Sequence, residues 1–129
     1  MEIPAGPLIL THLFKLPDEA NIQWEEFREG IEICRLHENP GGSNAALLRY
    51  EPGASLQVHY HLGHEYILVL SGSQIDDAGE HSAGTLLMYQ PGTSHSVRSP
   101  GGCVVLIIRD RPVSFVKPQT AMQANPERI

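Results

Sequence analysis

From Gly30 onward, apolar and polar positions alternate with a period of two, and glycine- or proline-containing turns break the alternation about every ten residues. Ile31, Ile33 and Arg35 alternate with Glu32, Cys34 and Leu36, which predicts a strand ended by Asn39-Pro40-Gly41-Gly42, with a hairpin return from Ala45 to Tyr50. Glu51-Pro52-Gly53 is the next turn, with proline and glycine in the order a tight turn favours. A strand through His59 and His61 turns at Leu62-Gly63 and comes back as the apolar run Tyr66 to Leu70, after which Ser71-Gly72 is expected to bend the chain. Gln74-Ile75, a turn at Asp76-Asp77-Ala78-Gly79, strands at Leu86 to Tyr89 and His95 to Arg98, and a last long strand from Cys103 to Arg109 complete the pattern. Short strands so spaced predict an all-β barrel or sandwich.

The ends depart from this pattern. Pro4, Pro7 and Pro17 oppose a continuous helix near the start, where Asp18-Glu19-Ala20 could open one helical turn, and Trp24 and Phe27 read as packing residues. The expected organisation is one domain over 1–129, with an N-terminal arm over 1–29, a barrel core over about 30–116 and an extended tail over 117–129. Twelve glycines and ten prolines in 129 residues, with 41% hydrophobic and 19% charged residues, agree with a globular chain of short strands. A formal charge of -6 with scattered lysines and arginines argues against a nucleic-acid surface. Leu8-Ile9-Leu10 is too short to be a membrane span and lacks the basic start of a signal peptide, so a cytoplasmic location is expected. Cys34 and Cys103 are too few for a disulfide framework and read as buried apolar residues.

The histidines change the picture. Strand alternation places His59 and His61 on one face with Tyr60 on the other, and a strand folding back at Leu62-Gly63 brings Glu65 toward them. Two imidazoles and a carboxylate converging inside a barrel suit a divalent transition metal, and His95, behind Gln90-Pro91-Gly92, is the fourth candidate ligand. His64 falls on the opposite face by parity, while His12, His37 and His81 read as ordinary core or surface residues. The same parity places Ser55, Gln57, Ile67 and Val69 in the interior pocket, with Arg49 and Tyr50 at its mouth. No serine elbow, Cys-x-x-Cys or phosphate loop competes with this site.

Gly53, His59, His61, Glu65 and Gly72 match the first cupin motif in both residue type and spacing. Gly84, Pro91, Gly92 and His95 match the second, although proline stands directly before the glycine and Ser99 replaces the closing asparagine. From Ser71 to His95 the chain resembles the cupin domain of ChrR-type anti-sigma factors and the single-domain cupins grouped with it. The resemblance implies a double-stranded β-helix, the RmlC-like jelly-roll barrel. It also implies a homodimer, with a strand around Leu8 to Phe14 exchanged between subunits.

Cupins with a three-histidine, one-glutamate site include acetylacetone dioxygenase and quercetin dioxygenase. The resemblance therefore implies a metal-dependent dioxygenase-type or lyase-type enzyme, with Glu65 as ligand and potential base. The alternative is a ChrR-like metal-binding sensor without catalysis, and a purely structural metal is a third reading. Fe, Zn, Mn, Ni and Co are all compatible with the donors. Three neutral imidazoles and one carboxylate around a divalent ion leave a charge near +1, which favours an anionic or enolisable small-molecule ligand. Because ligating imidazoles must be deprotonated, metal loss is expected below about pH 6.

Overall fold

The structure, a computed structural model, describes residues 6–15 and 22–118. The helical turn expected at Asp18-Glu19-Ala20 and the tail beyond Pro118 lie outside the described residues. Among the described residues, one 3-10 turn, Leu13–Lys15, precedes the strands β1 (Glu25–Arg28), β2 (Ile31–Glu38), β3 (Asn44–Tyr50), β4 (Ala54–His61) and β5 (Glu65–Asp76). The chain continues through β6 (Gly79–Ser82), β7 (Leu86–Tyr89), β8 (Ser94–Ser99), β9 (Cys103–Arg109) and β10 (Val113–Ser114). Within the chain, Leu8 to Phe14 forms no ladder, and Leu10 and Leu13 pack onto the sheet. Pro7 lacks a donor for pairing, and His12 adopts a positive φ of 57° that interrupts an extended run.

All pairings are antiparallel and form two curled sheets. The first runs β1-β2-β3-β9-β5 with β7 beyond β5, and the second joins the end of β5 to β6 on one side and to β8, β4 and β10 on the other. β5 therefore belongs to both sheets, where the pattern of residues suggested a bend at Ser71-Gly72. The strand crosses over through a bulge between Val69 and Ser71, followed by Gly72 at a φ of 68°. A Cβ on Gly72 would lie 2.1 Å from the carbonyl oxygen of Gly102, so only glycine lets the two backbones approach here.

Between the sheets, alternate residues meet: Ile31 and Ile33 of β2, Leu48 and Tyr50 of β3, Ile67 and Val69 of β5, Val105 and Ile107 of β9, and Leu56 and Val97 across from them. The opposite face of the first sheet has its own cover, in which Ile22, Leu10, Leu13 and Trp24 pack on Cys34, Leu47, Leu70 and Val104. The two-sided burial explains why β9 reads as a continuous apolar run rather than an alternating one. Cys103 lies in the inner cluster and Cys34 in the outer one, both free thiols pushed up by burial, as expected of packing residues.

Gly72→Ala should destabilise the protein by about 2–3 kcal/mol, because it adds both a forbidden φ and a backbone clash at the point where β5 changes sheets. Urea unfolding measures this directly.

Candidate metal centre

β4 and β8 run antiparallel with His59 directly opposite His95, and β4 ends two residues later at His61. The Leu62-Gly63-His64 turn then delivers Glu65 as the first residue of β5. That turn is pinned from outside: Asp110 accepts a hydrogen bond from the His64 backbone N–H at 2.8 Å and contacts His64 Nδ1 at 2.9 Å. A Cβ on Gly63 would fall 1.9 Å from Asp110 Oδ1, so the glycine makes room for the pin. His64 thus braces the turn from the outside and stays out of the ligand group. The loop before His95 is stitched to the same strand end, with His61 N–H donating to Thr93 O at 2.8 Å and Gly92 N–H to His61 O at 2.9 Å.

These constraints gather the four side chains. One ligand atom each from His59, His61, Glu65 and His95 lies within 4.8 Å of all the others, and the four residues are 1 to 4% exposed. The hydrogen bonds behind them decide what the group presents. His59 Nδ1 donates to Gln57 O at 3.1 Å. Thr93 gives its hydroxyl proton to Gln90 O at 2.6 Å and so accepts from His61 Nδ1 at 2.9 Å. His95 Nδ1 donates to Asp76 Oδ2 at 3.0 Å. Each neutral ring therefore turns an Nε2 lone pair inward. His95 Nε2 is buried without a hydrogen-bond partner, and His61 Nε2 faces Glu65 Oε1 at 3.1 Å. Lone pairs converge with no proton to share, and a cation is the species that satisfies them. These residues could bind a metal, and their donor chemistry suits a divalent transition ion.

Several members of the site carry no motif of their own. Asp76, read from the sequence as part of a turn, is the buried hub behind His95: its Oδ2 also accepts the Tyr89 hydroxyl, and its Oδ1 accepts from His81 Nε2 at 2.8 Å and Ala78 N–H at 2.9 Å. Burial pushes the Asp76 carboxyl up, but the Tyr89, His81 and His95 hydrogen bonds prevail and hold it at about 2. His81 is accordingly a satisfied residue behind the ligands and not one of them. Tyr89 stacks on His61 with ring centroids 5.1 Å apart, and burial beside Asp76 pushes its phenol far up. Arg109, which closes the apolar run of β9 directly opposite Glu65, donates from Nε to Glu65 Oε2. Its guanidinium outweighs the effect of burial and holds Glu65 well below the usual carboxylate range. A charge closing an otherwise apolar strand was the available signal for Arg109; a threonine two residues before a ligand histidine was the signal for Thr93.

Of the expected pocket residues, Ile67 and Val69 lie in the inter-sheet core. Gln57 and Ser55 do not face inward but are exposed, while Leu56 is buried. A bulge explains the reversal: between the pairs Leu56↔Val97 and His59↔His95, β4 has one residue more than β8, which flips the parity of everything before it. Arg49 points to the outer face, paired with Glu32 at 2.6 Å and lying 4.5 Å over the Trp24 ring. Tyr50, opposite in parity, is buried in the inner core rather than placed at a mouth. Phe115 lies against the ligand His59, 5.6 Å between ring centroids, and the Arg28 guanidinium sits 4.8 Å over Phe115 and 4.3 Å over Phe27. Surface clefts of roughly 190 to 420 Å³ lie along β1-β2 and the loop before β4, and between β4, β8 and the end of β5 at Asp76, and no ligand lines them.

Residues 15–114 match the sequence model of the ChrR cupin-like domain. No curated protein sequence matches the chain. Among solved structures, a chain of the complex of Rhodobacter sphaeroides SigE with the anti-sigma ChrR is 25% identical, aligned over 70% of this chain with a TM-score of 0.63. This chain spans only 49% of that one. An RmlC-like cupin from Shewanella frigidimarina is 20% identical over 70% of this chain and 85% of its own, with a TM-score of 0.63. An acetylacetone dioxygenase from Acinetobacter johnsonii is 17% identical over 100% of this chain and 85% of its own, with a TM-score of 0.70. The fold is thus the RmlC-like barrel.

Burial holds the His59 imidazole down at about 4 and lowers His95 as well, so the onset of proton competition at these two rings moves below the value of about 6 expected from free histidine. A histidine depressed on folding contributes stability that is full above its unfolded value and is lost on acidification. The metal-free protein should therefore lose stability as pH falls from about 6.5 toward 4, at up to about 1.4 kcal/mol per pH unit for each such ring. Urea titrations across this range read the slope, and a flat profile contradicts burial of neutral rings. Asp76→Asn should weaken metal binding by about 10- to 100-fold through loss of the carboxylate behind His95. Competition with a chromogenic chelator measures it.

Proposed function

Because the chain belongs to the ChrR cupin-like domain family, we propose that it holds one divalent transition metal at His59, His61, Glu65 and His95 and uses that centre on a small organic ligand, as a metal-dependent dioxygenase-type or lyase-type enzyme. The observation that carries this reading is the inward convergence of four buried donor atoms, each backed by a hydrogen bond that fixes its orientation. When bound, the ion supplies Lewis-acid polarisation of a ligand carbonyl or enolate. Four protein donors close a tetrahedral site, whereas an octahedral ion keeps positions for the ligand, so Fe(II), Mn(II), Co(II) and Ni(II) serve chemistry better than Zn(II).

The chain's own residues set the ligand class. The site charge near +1, reinforced by the Arg109 guanidinium on Glu65, favours an anionic or enolisable ligand. Arg109 occupies Oε2, which leaves Glu65 to act through Oε1 and argues for the ligand role over that of a base. Phe115 and Tyr89 against the rings, with Ile67 and Val69 in the core beneath, exclude water from the reacting side.

A second reading, a metal-binding sensor without turnover, is supported by the family match and by the burial of all four donors. For either reading a homodimer is proposed. The exposed strip of Tyr66, Met88 and Ile108 on neighbouring strands, with Leu86 beside it, is an apolar sheet face of the kind subunits bury.

Protein purified without oxygen and reloaded with Fe(II), Mn(II), Co(II), Ni(II) or Zn(II) should hold one equivalent of metal, and His59→Ala should hold almost none. Oxygen uptake and product formation are then followed with β-diketones, flavonols and small organic acids. Turnover supports the enzyme, ligand-dependent stabilisation without turnover supports the sensor, and failure to bind any of these ions overturns both.

A further inference from the structure

Arg109 is not a candidate ligand, yet its side chain is 1% exposed and bound to the one anionic donor of the site. Direct register across β5 and β9 places it there, after six apolar residues of the same strand. Its Nη1 is buried without a hydrogen-bond partner, so the guanidinium is not held in place by a full set of neutral acceptors. Around the Glu65 carboxylate, also 1% exposed, the basic groups within 4.0 Å among the described residues are His61, His95 and Arg109. Both rings spend their Nδ1 protons on Thr93 and Asp76 and turn lone pairs toward Glu65. Arg109 is therefore the permanent positive charge facing this buried carboxylate.

An isolated carboxylate at such a position would be strongly disfavoured, and three inward lone pairs beside it would add to the repulsion. From this we infer that Arg109 is a resident counter-cation. It neutralises Glu65 while no metal is bound, keeps the four donors gathered in the folded metal-free protein, and holds Oε2 so that Oε1 alone is presented to an ion. The inference rests on the metal reading proposed above and goes beyond it by giving the metal-free state its own structure. It also has a cost built in. The guanidinium repels an entering cation, so the residue that preserves the site loosens its grip on the metal, which suits a centre that gains and loses its ion without unfolding.

The test is thermal unfolding of the full chain, stripped with chelator or saturated with Mn(II) or Ni(II), for the wild type, Arg109→Met, Arg109→Lys and the double variant Glu65→Gln/Arg109→Met. Methionine keeps much of the stem and removes the charge. The metal-free midpoint of R109M should fall by on the order of 10 °C. Metal should restore most of that loss, since the ion now supplies the missing charge, and the rise on loading should be larger in R109M than in the wild type. R109K should lose less, and metal-free E65Q/R109M should melt above R109M because no uncompensated charge remains. Equal losses in stripped and loaded R109M mean that Arg109 only fills space, and overturn the inference while leaving the metal reading intact. No metal-induced shift in the wild type overturns the metal reading and this inference together. If R109M is unfolded in both states, the double variant decides: recovery supports the charge role and its absence refutes it.

Discussion

A carboxylate and three imidazoles can be enclosed between two sheets only if every polar atom that faces away from their common centre has a partner. Here each does: Gln57, Thr93 and Asp76 take the three Nδ1 protons, and Arg109 takes the second oxygen of Glu65. Those contacts convert four expensive buried groups into a directed set of lone pairs. The geometry of the barrel serves this requirement. The bulge in β4 brings Leu56 and His59 to the same side, the sheet-switching of β5 carries Glu65 in one sheet and Asp76 in the other, and β9 positions Arg109 by simple register.

The inner and outer sides of the site were not equally legible in the sequence. His59, His61 and Glu65 stand close in sequence across one turn, and strand alternation with that turn suffices to suggest their convergence, whereas His95 joins them through the pairing of β8 with β4 and was legible by its motif. Asp76 acts 19 residues from His95 and Arg109 acts 44 from Glu65, so their roles exist only after long-range pairing. Parity failed for Ser55 and Gln57 because it assumes an unbroken ladder, and nothing in Leu56-Gln57-Val58 announces the extra residue of a bulge. It held for Ile67 and Val69 because β5 is regular until after Val69.

The strands themselves were largely readable from Gly30 to Arg109, since glycine and proline mark their ends. The segments at either side were not. β1 is four residues long, β10 is two, and the arm at Leu10 and Leu13 covers a sheet face without forming a ladder, so none of them has the periodicity that reveals a strand. Arg49 and Tyr50 show the limit in another form. Adjacent residues on one strand go to opposite faces, and only the outer cover of Trp24 shows which face receives the arginine.

The Phe115 segment and the barrel are held in different ways. The segment is joined by a two-residue strand, by the packing of Val113 and Phe115 on the inner core and by the Arg28 guanidinium against Phe27 and Phe115, whereas the barrel is held by long ladders on both sides of β9. Exchange of the amides of the short segment therefore reports its local opening separately from unfolding of the long ladders of β9.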